Sequence, residues 1–79
     1  MVFIHLVLKF QFWDLISQGK KTIEYRKNTP FYQKRIISKL KKEEAFVVLH
    51  RGYTKQVQVF KVAKVIVAAD EIQIHLEKG

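Results

Sequence analysis

The sequence predicts an α+β fold in which a small, curled, mixed and mostly antiparallel sheet of about five strands closes toward a barrel beside two short helices. Three observations carry that expectation. Segments with strand-like alternation or short apolar runs recur along most of the chain, and two stretches switch to helical spacing. With 79 residues, 48% of them apolar, the chain can build one core and is too short for two, so residues 1 to 79 read as a single domain. That many strands leave edges exposed, and rolling the sheet into a barrel hides them economically.

Val2 to Leu8 is a short apolar run interrupted only by His5, which places a buried strand first and His5 in or near the core. Across Phe10 to Gln18 the apolar residues Phe12, Leu15 and Ile16 fall at helical spacing, and Phe10 and Trp13 widen that face. Asp14 is read near the start of this helix, where a carboxylate complements the dipole, and Gly19 as its left-handed cap. Thr22 to Lys27 alternates: Thr22, Glu24 and Arg26 share one side, while Ile23, Tyr25 and Lys27 share the other, with Ile23 and Tyr25 expected to hold the strand to the core. Asn28, Thr29 and Pro30 break the pattern.

Phe31 to Lys42 is strongly basic, with Ile36, Ile37 and Leu40 at helical spacing, and predicts a short amphipathic helix. Ala45 to Leu49 reads as a strand and Arg51 to Thr54 as a turn centred on Gly52, so a hairpin follows. A long β-rich stretch then runs from Val57 to Val67 with a bend near Ala63 and Lys64. In the last segment Ile72, Ile74 and Leu76 face in, while Gln73, His75 and Glu77 face out. No repeat or low-complexity tract interrupts the pattern.

Fifteen Lys and Arg against seven Asp and Glu give a formal charge of +8, a field that favours polyanions. A solubilising charge is the plain alternative. The absence of cysteine removes disulfides, thiolate nucleophiles and zinc-thiolate sites and is compatible with a reducing cytosol, so a cytoplasmic location is expected. Met1 to Phe12 carries His5 and Lys9 and lacks the marks of a secretory leader, and no apolar run is long enough to span a membrane. His5, His50 and His75 are too widely separated in sequence to suggest a metal site, and the scattered glycines 19, 52 and 79 make no phosphate loop. No cofactor, no metal and no membrane partner is expected, and the protein is read as a monomer.

Chemistry needs polar groups that converge, and residues 19 to 26 supply Lys20, Lys21, Thr22, Glu24 and Arg26 within eight positions. A lysine suits a phosphate, an arginine presents a planar fork to a phosphate or base edge, and a carboxylate can accept from a base amino group. An exposed strand with balanced charge fits the same spacing at least as well. The stretch Phe12 to Lys27 resembles the ASCH domain, whose GxKxxExR signature follows a strand and a helix; Gly19, Lys21, Glu24 and Arg26 stand at its fixed positions, and the resemblance covers residues 3 to 30. It implies membership of the PUA-like group, a β-barrel associated with RNA binding and RNA modification. It further implies a cleft in which Lys21, Glu24 and Arg26 face RNA or a nucleotide-like ligand, with Lys9 at the same mouth and Lys20 auxiliary.

Some bacterial ASCH proteins resemble acetylcytidine amidohydrolases, which use a lysine, a threonine nucleophile and a later glutamate. The lysine is matched by Lys21, but Glu24 occupies the threonine position and Thr22 lies two residues earlier, with Glu71 and Glu77 as candidates for the later acid. Binding is therefore expected over catalysis; the alternative is hydrolysis of an acylated nucleoside, with Lys21 activating Thr22 or a water held by Glu24. Among aromatics, Trp13 reads as core, and Tyr53, in a turn beside Arg51 and Lys55, is the best candidate for ligand contact. The basic helix, with Lys34, Arg35, Lys39, Lys41 and Lys42, reads as a solvated face that can add phosphate contacts.

Overall fold

The computed structural model describes residues 1–40 and 44–77; Lys41, Lys42 and Gly79 lie outside the described residues. Five strands form one sheet, β1 (Val2–Leu8), β2 (Ile23–Lys27), β3 (Ala45–Arg51), β4 (Val57–Val67) and β5 (Glu71–Glu77), in the spatial order β1-β3-β4-β5-β2. Only β1 and β3 run parallel; the other three pairings are antiparallel. The sheet curls into a half-barrel, as the α+β reading expected. Its two edge strands come close enough for a side chain to bridge them: Arg26 of β2 donates from Nη2 to the carbonyl of Val7 in β1 at 3.1 Å. Arg35 likewise donates to the His5 carbonyl at 2.9 Å. Two guanidinium groups thus occupy acceptors along the edge of β1, which blunts it against pairing with another chain.

Helix α1 (Phe10–Ser17) crosses from β1 to β2. It ends in a Schellman arrangement: Lys20 N–H donates to Leu15 O and Gly19 N–H to Ile16 O, with Gly19 at φ 75°. Glycine accepts that left-handed conformation without a Cβ penalty, as the sequence suggested. The buried face of α1 is narrower than expected. Ile16 is buried and Trp13 packs against the core, donating from its indole N–H to Leu49 O at 2.8 Å, whereas Phe10, Phe12 and Leu15 remain exposed. An eight-residue helix laid across one strand buries about one residue per turn, and its other apolar residues are left for the surface.

Asp14 does not sit in the first turn of α1. It lies mid-helix and makes a two-point ion pair with Arg51, at 2.9 Å to Nε and 3.2 Å to Nη2, which fastens the β3–β4 hairpin to the helix. The Arg51 guanidinium holds the Asp14 carboxyl below its ordinary range, and the carboxylate in turn raises the Arg51 pKa.

After β2, Thr29 and Pro30 begin the second helical segment rather than a loop: the Thr29 hydroxyl accepts from Tyr32 N–H and Pro30 occupies the first helical position. The segment runs as α2 (Pro30–Tyr32), a π-helical turn (Gln33–Ile37) and α3 (Ser38–Leu40). Ile36 is wholly buried with Ile37 packed beside it, while Lys34, Arg35 and Lys39 are exposed. The core joins Ile36 and Ile16 to Ile4, Leu6, Leu8, Val47, Leu49, Ile72 and Ile74 on the concave side of the sheet.

The strand β3 extends to Arg51, two residues past its expected end, and the turn after it holds Gly52 at φ 54°. β4 is a single eleven-residue strand, and its register shifts between Val62 and Lys64, the bend expected there. His5 is not in the core. Its ring is on the exposed face of β1, where Nδ1 lies 2.9 Å from His50 Nε2. Alternation explains this: Ile4, Leu6 and Leu8 take the concave side, so His5 must take the other.

Candidate functional site

The alternation of β2 is as the sequence reads, but the side that faces inward is the polar one. Glu24 is 5% exposed and Arg26 half-buried, whereas Tyr25 is 48% exposed, so Tyr25 does not hold the strand to the core. In a half-barrel the concave side of an edge strand opens onto the seam between the two edges, and charged groups can sit there where they find partners.

Glu24 has them. Its Oε1 accepts the Tyr25 N–H at 3.0 Å and lies 3.4 Å from Lys21 Nζ, while Oε2 lies 3.3 Å from Arg26 Nη2. Of the roughly four lone-pair positions of a carboxylate, these contacts leave one, on Oε2. Arg26 uses the same Nη2 for the Val7 carbonyl, and its Nε–H is buried with no hydrogen-bond partner among the described residues. The Lys21 ammonium stands 4.5 Å from the Phe12 ring centre and 5.8 Å from that of Tyr25.

These groups line one cleft of about 580 Å³, bounded by Val7, Leu8 and Lys9 of the β1 end, Phe12 of α1, and Lys21, Glu24, Tyr25 and Arg26. Ligand clefts commonly span about 300–1,000 Å³. The chain thus brings Lys9, at the end of β1, together with Lys21, Glu24 and Arg26 from a second segment. Neither Lys20 nor Thr22 lines this cleft. Lys20 is exposed beyond the helix cap, and Thr22 opens with Lys21 and Glu77 onto a smaller recess of about 160 Å³ beside Ile16 and Leu76. Arg51 is committed to Asp14 and stacks 4.4 Å over the Phe10 ring. Tyr53 is 97% exposed at the hairpin tip.

Lys9 stands at the mouth as expected, but Phe12 and Tyr25 wall the cleft instead of packing in the core, because apolar periodicity alone does not say which face of a short helix or edge strand is covered. The Val7 carbonyl has no side-chain signature at all. Among the described residues no three His, Cys, Asp or Glu side chains are grouped to hold a metal, and no helix is long and apolar enough to cross a membrane. No protein-family model and no curated protein matches the chain.

Proposed function

We propose that this domain binds RNA, or a nucleoside presented by RNA, by seating a base in the cleft between β1 and β2. The observation that carries the reading is the convergence of Lys21, Glu24 and Arg26 in a cleft walled by Phe12 and Tyr25. The rings offer faces for stacking. The remaining lone pair of Glu24 suits the exocyclic amino group of a base, and the buried Arg26 Nε–H suits a carbonyl or phosphate oxygen. Lys9 and Lys21 supply charge for the backbone, in keeping with the excess of cations over the whole chain. A family tie to ASCH domains, resting on Gly19, Lys21, Glu24 and Arg26, belongs to the same proposal, as does a cytoplasmic location.

Three cations against one paired carboxylate attract anions in general, and the free lone pair of Glu24 together with the two ring faces adds a preference for a base. Titrating the ¹⁵N-labelled protein with the four nucleosides and short RNAs tests it. Expected are shifts concentrated at Lys21, Tyr25 and the Arg26 Nε–H; shifts elsewhere, or none with any of these ligands, would reject the assignment.

A further inference from the structure

The cleft does not stand alone. A second recess, lined by Val7 to Lys9, Phe10, Gly52 and Tyr53, adjoins it, and a third, lined by His5, Val7, Arg26, Phe31, Arg35 and Tyr53, continues from both. The three share Val7; Leu8 and Lys9 join the first two, Arg26 joins the first and third, and Tyr53 joins the last two. Together they make a continuous track around the end of β1.

Cations and exposed rings both line this track. Lys9, Lys21, Arg26 and Arg35 line it against a single carboxylate, Glu24, which is already paired with two of them. Tyr25 is 48%, Tyr53 97% and Phe31 62% exposed, and the Arg35 guanidinium lies 5.8 Å from the Phe31 ring centre. A tyrosine at the tip of a turn with almost all its surface in water contributes nothing to the fold. Solvated lysines need no neighbouring rings, and an acidic peptide would use the charges but not the ring faces. A polymer that carries one negative charge and one flat face per unit uses both.

We propose that the track binds single-stranded nucleic acid, one nucleotide to each of the three recesses, with the cleft taking the first base and Tyr53 and Phe31 stacking the bases that follow. The proposal rests on the cleft reading and extends it from a nucleoside to an extended strand. A duplex keeps its base faces covered and cannot use the rings, so strandedness rather than sequence is the property recognised.

Fluorescence anisotropy with labelled eight-nucleotide oligouridylate and oligothymidylate, the corresponding duplexes, an abasic strand of the same length and polyglutamate tests it in the intact protein. Both single strands are expected to bind more tightly than the duplexes, the abasic strand and polyglutamate. Tyr53→Ala is expected to weaken single-strand binding about fivefold or more, and Tyr53→Phe to restore it, since stacking is a property of the ring. Equal affinity for abasic strand or polyglutamate, equal affinity for duplex, or an unchanged Tyr53→Ala overturns the proposal. Nucleoside titration separates the two claims: shifts at Arg26 with no gain from a longer strand leave the cleft reading standing and remove the track, whereas Tyr53-dependent strand binding without nucleoside shifts removes only the base pocket.

Discussion

Arg26 has two tasks in this fold, and replacing it separates them from those of Lys21. Its Nη2 joins β2 to β1 through Val7 O and also pairs with Glu24, in a side chain only 19% exposed. In Arg26→Met the stem still packs, but both guanidinium hydrogen bonds, one to the Glu24 carboxylate and one to the neutral Val7 carbonyl, are lost and Glu24 keeps only Lys21 and the Tyr25 N–H. Breaking a fully buried pair costs about 3–5 kcal/mol. The partial exposure and the 3.1–3.3 Å distances lower that figure, and the unpartnered Nε–H disappears with the guanidinium, leaving about 2 kcal/mol. At about 4–8 °C per kcal/mol for a domain of this size, the melting temperature falls by roughly 8–16 °C. Circular dichroism melts with urea titration measure it. A fall below about 3 °C would refute the view that this guanidinium ties the barrel edges. Lys21 is as buried as Arg26 but makes one longer contact, 3.4 Å to Glu24, and bridges no strands, so it contributes about 1 kcal/mol, and truncating it should weaken binding while lowering the melt less than Arg26→Met does.

Gly52→Ala should destabilise by about 1–2 kcal/mol, because Gly52 has φ 54° and a Cβ there would lie 2.4 Å from the Phe10 ring; an unchanged urea midpoint would contradict this. Asp14 and Glu44 are both held below their ordinary values of 3.8 and 4.5 by hydrogen bonds to Arg51 and Lys61. Depressed folded-state values mean that both pairs contribute fully above those ordinary values and are lost as pH falls below them. Stability of the native protein should therefore drop from about pH 4.5 downward, and the drop should be shallower in Asp14→Asn, as urea midpoints across pH 2–7 would reveal. Incubation with acetylcytidine at high protein concentration tests the hydrolytic alternative directly, because Lys21, Thr22 and Glu77 line one recess apart from Glu24 and Arg26; with Glu24 at the threonine position no cytidine is expected, and chromatographic detection of Lys21-dependent turnover would reverse that reading.

Much of the architecture is legible in one dimension because local rules govern it. Gly19 marks the end of α1 since a left-handed cap wants glycine, and Ile72 and Ile74 share a buried face because strand side chains alternate. The bend near Ala63 shows as an interruption in the apolar pattern of β4. Glu24 and Arg26 are also visible as a pair, since a strand separates its two faces at fixed spacing, whereas Lys21 precedes the strand and is visible only as a nearby cation.

What periodicity does not specify is which face of an edge strand meets the core. Glu24 lies inside and Tyr25 outside because the sheet curls until β1 and β2 nearly touch, and that curl is set by the order β1-β3-β4-β5-β2, which joins residues distant in sequence. The same closure decides that Arg26 finds Val7 O, that Arg51 is taken by Asp14, and that His5 meets His50 rather than the core. The sequence by itself determined the elements and the charged trio; only the tertiary structure decided what surrounds that trio, because a cleft is made by the approach of segments whose separation in the chain carries no local signal.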